Sequence, residues 1–223
     1  MRYVLMVDGS FMLYRLGARL GHGAEARLAT ADDVIAECDA IRSHPEFVDH
    51  ELLRILFYDA APFADRALDL VSGENRSLDT SPTYRRRRAL LDQLALAPNI
   101  ALRLGELSYE GFTLGRATAS TIVRQQRPIL PTDLNLRLTQ KGVDLRIGLD
   151  IARLTLRERV DAIVVVTGDS DFIPAFKFAR REGVRVDLDH MGGSVKRDLK
   201  VHADVVLRRE PSSTGRSESR RGD

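Results

Sequence analysis

Two carboxylates stand one residue apart where an apolar run ends, in Val164-Val165-Val166-Thr167-Gly168-Asp169-Ser170-Asp171-Phe172. Acids this close are costly to keep ionised unless a positive charge sits between them. Hard oxygen donors of this kind suit Mg2+ or Mn2+ rather than zinc. The lone cysteine, Cys38, also excludes a cysteine-rich zinc site and an internal disulfide framework. Two further acids share the pattern of a carboxylate beside a glycine at an element junction: Asp8 before Gly9, and Asp144 after Gly142. Each alone reads as a cap or a turn residue. Together, Asp8, Asp144, Asp169 and Asp171 form a candidate cation site if the fold makes them converge.

The elements around them predict that convergence. Tyr3 to Val7 and the run ending at Val166 read as strands buried on both faces, as in a parallel sheet. Ligands of open α/β sheets bind outside the carboxyl ends of such strands, where the strand order reverses. Asp8 and Asp169 are expected to meet there. Asp144 opens a helix with apolar residues at Val143, Ile147, Leu149, Ile151, Leu154 and Leu156, and is expected to face the same crevice. Asp150, six residues on, lies about 240° further round that helix and reads as a structural partner for an arginine.

Along the chain, a helix follows Asp8-Gly9-Ser10 to Leu20, and Gly21-His22-Gly23 is a loop. A second helix runs from Thr30 to Ile41. Leu52 to Tyr58 is a strand; Asp59 after it could flank the same crevice but reads first as a loop residue. Phe63 to Pro82 reads as loop. Arg85 to Arg88 open a helix, with the four arginines in its first turn, and form a candidate phosphate-binding patch. Ile100 to Leu107 is a strand near an edge, and Glu110 to Gly115 is a hairpin continuation. Thr118 to Thr132 reads as exposed loop, and Leu134 to Leu138 as a short strand. Phe172 to Glu182 is a helix, Val184 to Leu188 a strand, and Val205 to Leu207 a last short strand. The basic segment Ser194 to Lys200 lies between those two strands. This alternation predicts one three-layer α/β domain with a mostly parallel central sheet over residues 1–209. Residues 210–223, rich in Ser, Arg and Gly, are expected to be a disordered basic tail.

The formal net charge is +2, from 34 basic and 32 acidic residues. Residues 208–223 hold five arginines and three acids, so residues 1–207 are neutral, with 29 of each sign. Any nucleic-acid surface must therefore be local. The amino-terminal stretch is too short and too soon acidic for a signal peptide, and no apolar run reaches the ~18–20 residues of a membrane span. The expectation is a cytoplasmic protein without membrane attachment.

The combination Val7-Asp8-Gly9, Lys141-Gly142-Val143-Asp144 with Asp150, and Thr167-Gly168-Asp169-Ser170-Asp171-Phe172 with Pro174 and Gly183 resembles the NYN domain. That domain belongs to the PIN-like nuclease group that includes LabA and DUF88 proteins. The resemblance spans about residues 1–209. It implies a Rossmann-like PIN fold and a metal-dependent endoribonuclease that cuts RNA, single-stranded by expectation. Asp8, Asp144, Asp169 and Asp171 would be the catalytic and metal-binding residues, with Mg2+ or Mn2+ as cofactor. The sequence departs from the family pattern after the first Asp-Gly, where Ser10-Phe11-Met12 replace the frequent asparagine. Ser10, Lys141, Ser170, Arg85, Arg86 and Lys196 are the expected substrate contacts. A haloacid dehalogenase-type phosphatase would need a second aspartate where Ser10 stands. A non-catalytic RNA-binding or regulatory adaptor on the same fold is the alternative, and a homodimer is compatible with either.

Overall fold

The computed structural model describes residues 1–21, 27–68, 70–71, 73–157 and 160–208. The expected tail over 210–223 and the loop residues His22 and Gly23 lie outside the described residues. Strand β1 (Arg2–Asp8) is the centre of the sheet. Its residues from Tyr3 to Val7 are all buried because both faces are covered. Tyr3, Leu5 and Val7 pack on one side, and Val4 and Met6 on the other. Each such side chain contributes roughly 1.5–3 kcal/mol of apolar burial, so the alternating faces hold helices against the sheet from both sides.

The first side carries α1 (Gly9–Arg19), α2 (Ala31–Arg42) and α3 (Pro82–Leu96). The second carries α5 (Val143–Arg157) and α6 (Ile173–Arg181). Between them lies a seven-stranded sheet. Besides β1 it contains β2 (Glu51–Ala60), β5 (Ile100–Leu114), β6 (Leu134–Lys141), β7 (Ala162–Val166), β8 (Arg185–Asp189) and β9 (Val205–Val206), in the order β6-β5-β2-β1-β7-β8-β9. Every neighbouring pair is parallel except β5 with β6. The three-layer, mostly parallel α/β architecture expected from the sequence is the one observed. Among the described residues, no helix is long and apolar enough to cross a membrane.

Five local readings are corrected. Phe63 to Pro82 is not all loop: β3 (Arg66–Leu68) and β4 (Asn75–Ser77) pair antiparallel within it. Glu110 to Gly115 is no hairpin, because β5 runs on through a bulge to Leu114 and turns back only at β6. Residues Arg116–Gln125, overlapping the segment read as exposed loop, form helix α4, which buries no residue and has no side-chain cap. Asp59 is not a loop residue. It lies inside β2, fully buried, since β2 continues past Tyr58 to pair Asp59 with Leu104 and Ala60 with Gly105. The arginine run is also displaced. Ser81 caps α3 through the Tyr84 amide at 3.1 Å and Pro82 starts it. Arg85 to Arg88 therefore follow the first turn and escape the unfavourable end of the helix dipole.

Candidate metal and nucleic-acid site

Strands β1 and β7 are direct neighbours, with Val7 opposite Val166. The chain leaves β1 toward the helices of one face and leaves β7 toward those of the other, so this pair is the switch point of the sheet. Asp8 ends β1 and caps α1, its Oδ1 accepting from the Phe11 amide at 3.0 Å. Its Oδ2 accepts from the Thr167 hydroxyl at 3.2 Å. The helix-cap role weighed for Asp8 is thus taken by Oδ1, while Oδ2 is held by Thr167. Gly9 follows because nothing larger fits: a Cβ there would stand 2.6 Å from the Tyr58 carbonyl and 2.8 Å from the Phe57 ring.

After β7, Thr167 is fully buried. Its Oγ1 also accepts from the Asp169 amide at 3.1 Å, so one hydroxyl ties the two acid-bearing loops together. Asp169 caps the 3-10 turn Ser170–Phe172, its Oδ1 accepting from the Asp171 amide at 2.9 Å. The sequence left Asp171 between ligand and cap. In the structure Asp169 does the capping, and among the described residues the exposed Asp171 carboxylate makes no hydrogen bond of its own.

The four acids share one electrostatic field. Burial raises Asp8 from the ordinary carboxylate range to about 6, and the negative charges of Asp144 and Asp169 push the same way, against the Phe11 and Thr167 hydrogen bonds. Asp144, in the first turn of α5, is also raised, by partial burial and then by Asp169 and Asp171. Among the described residues, no three His, Cys, Asp or Glu side chains stand close enough to be a ready-made metal cage. The donor chemistry fits a hard divalent cation nonetheless: the groups at this end of β1 and β7 are carboxylates and hydroxyls, without nitrogen or sulfur ligands.

Of the expected substrate contacts, Ser170 and Lys196 meet, with Lys196 Nζ donating to Ser170 Oγ at 3.0 Å between the two aspartates of the motif. Ser10 accepts from Gln140 Nε2 at 2.8 Å. Lys141 pairs with Glu110 at 3.7 Å. Arg85 and Arg86 are exposed on α3. The run they belong to is partly committed elsewhere, since Arg88 pairs with Asp92 and Arg87 pairs with the buried Asp59. Asp150 holds the structural role expected of it, accepting from Tyr58 Oη at 2.9 Å and pairing with Arg103 at 3.1 Å.

Thr167 and Gln140 had no assigned role in the sequence, and Arg87 was read only as part of the phosphate-binding patch. Thr167 was visible only as part of the motif. Arg87 and Gln140 both reach Asp59, and Gln140 bridges it to Ser10. The signal for Asp59 was its place two residues after Phe57 in a continuing strand. Nothing local marks Arg87 out from its three neighbours. A cavity of about 750 Å³ opens elsewhere, at the far end of α6 between Lys177, Arg180, Arg181 and His202, and contains none of the four acids.

The family model described as NYN domain matches residues 101–208, a stretch that includes Asp144, Asp169 and Asp171 and ends short of Asp8 toward the amino terminus. No curated protein matches. Among solved structures, the chain is similar to a Vibrio parahaemolyticus protein of unknown function, with 13% identity and a TM-score of 0.48. That alignment covers 92% of this chain and 91% of the other.

Proposed function

Residues 101–208 belong to the NYN domain family, within the PIN-like nuclease superfamily, and from that premise we propose that the chain is a metal-dependent endoribonuclease acting on single-stranded RNA. The observation that carries this reading is the common field of Asp8, Asp144, Asp169 and Asp171 at the β1–β7 switch point. Residues 1–209 act as one catalytic unit in this reading, because Asp8 comes from outside the matched stretch. The lone, buried thiol of Cys38 goes with a reducing, cytoplasmic setting.

Mg2+ or Mn2+, held by the four aspartates, would neutralise charge on the phosphate and make a water acidic enough to attack it. The chain's own residues do the rest. Thr167 and the Phe11 amide fix the Asp8 carboxylate. The Asp171 amide fixes Asp169. Lys196, beside Ser170, offers a positive charge to a phosphate oxygen, and Ser10 a hydroxyl. Hydrolysis adds water across one phosphodiester bond, and no nucleophilic side chain is needed.

The test is manganese-dependent cleavage of single-stranded RNA by pure protein, set against Asp8→Asn and Asp169→Asn. Cleavage should vanish in both variants. Equal activity in all three proteins would sink the reading. Calorimetry showing no Mg2+ or Mn2+ binding would favour the RNA-binding adaptor instead.

A further inference from the structure

Past Gly105, β5 loses its partner β2 and continues for nine more residues to Leu114, paired only with β6. At ~3.4 Å per residue this makes an arm about 30 Å long beyond the carboxyl ends of the parallel strands, the end that holds the acids. Three aromatic rings form a chain along it. Phe63, three residues after the end of β2, lies 6.0 Å from Tyr109, with the ring planes 30° apart. Tyr109 lies 5.9 Å from Phe112, edge to face at 80°.

The backbone is arranged to put these rings on one face. Tyr109 and Phe112 are three apart, so an unbroken strand would point them to opposite sides. A bulge at Glu110-Gly111 intervenes, with Gly111 at φ +95°. Tyr109 then stands opposite Leu138, and Phe112 opposite Leu136, two residues apart on the same side of β6. By the same alternation, Gln140 shares that side, and its amide reaches Ser10 Oγ at 2.8 Å and Asp59 at 3.3 Å. The ring face thus runs on from the crevice itself. Neither hydrophobic core includes Phe63, Tyr109 or Phe112, and each ring is only partly buried. The nearby cations Arg137 and Lys141 are paired with Glu110, which leaves the rings as the open feature of this face.

We propose that Phe63 and Tyr109 are a stacking platform for the bases of single-stranded RNA leading into the carboxylate crevice, with Phe112 bracing Tyr109 from its edge. The inference rests on the nuclease reading for the identity of its ligand. Base–aromatic stacking is sequence-tolerant, because every base has a π-face. The platform therefore grips a splayed strand without reading it, and a continuous duplex has no free base face to offer.

The experiment measures binding of a short labelled single-stranded RNA, and of the same sugar–phosphate strand without bases, by fluorescence anisotropy in EDTA. Phe63→Leu/Tyr109→Leu keeps apolar volume and removes the stacking faces. It should weaken binding of the base-bearing RNA by about tenfold or more, with the same ratio at low and high salt. Binding of the base-free strand should not change, and Tyr109→Phe should bind as wild type. Unchanged affinity of the double variant for base-bearing RNA overturns the platform. An equal loss on both strands also overturns it, since the damage would then be structural. So does loss of self-association in sedimentation in place of lost RNA binding, which would make the face a contact between copies. Metal-dependent cleavage with unaltered binding in the double variant would discard the platform alone, while ring-dependent binding without any cleavage would discard the nuclease reading alone.

Discussion

Thr167 donates its hydroxyl to Asp8 across the β1–β7 boundary at 3.2 Å and accepts the Asp169 amide with the same oxygen. A buried hydroxyl with both capacities in use fixes the relative position of two carboxylates from segments far apart in the chain. Thr167→Val keeps the shape and removes both bonds. Outer-sphere partners of metal ligands typically matter by 10–100-fold in affinity or activity. We expect manganese-dependent cleavage to fall by about that range, with a thermal midpoint only a few degrees lower. Cleavage at the wild-type rate and wild-type manganese dependence would show that Thr167 does not position the acids.

Asp8 holds its charge against burial and against like neighbours, and that has a sign in stability. Its folded-state pKa of about 6 lies above the ordinary 3.8. The native state therefore binds the proton more tightly, and the favourable contribution present below pH 3.8 is lost as pH rises through about 6. Asp8→Asn escapes this loss and still caps α1, because asparagine is an equally good N-cap. In EDTA the variant should gain on wild type as pH rises through that window, by about 1–3 kcal/mol above it, read from urea unfolding at several pH values. A gap that does not change with pH would contradict the assigned origin of the strain.

Asp59 is fully buried and its charge is answered by Arg87, with Gln140 adding a weaker contact at 3.3 Å. Burial raises the Asp59 pKa, and the Arg87 charge works against that shift. Removing one member of a buried pair leaves an uncompensated charge and costs about 3–5 kcal/mol. Arg87 is partly exposed, so we expect Arg87→Met to cost somewhat less, about 2–3 kcal/mol. Adding Asp59→Asn should recover most of that loss. A double-mutant cycle in urea measures the coupling, and simple additivity of the two substitutions would show that the pair is not coupled.

The strands that carry Asp8 and Asp169 were legible because burial on both faces leaves a continuous apolar run. The helix that carries Asp144 was legible from its 3.6-residue period. The strand read at Leu134 to Leu138 is part of β6, but the run of β5 past Leu107 and the helix α4 were not legible. The long β5 arm depends on pairing between segments twenty or more residues apart, and α4 has no side-chain cap to mark its start. Asp59 was misread for a related reason: a carboxylate after an apolar strand looks like a loop until the arginine that lets it stay buried is known. That arginine comes 28 positions later, among three identical neighbours.

By itself the sequence determined the layer architecture, the junction position of each of the four acids and the hard-oxygen chemistry they can offer, since these follow from local periodicity and residue type. Only the tertiary structure decided which oxygen of Asp8 caps a helix and which faces Thr167. It also decided that Asp169 rather than Asp171 takes the cap, and that Arg87 serves Asp59 instead of standing free for phosphate. Those outcomes depend on distances between segments remote in the chain, and hydrogen bonds and ion pairs are set at that scale.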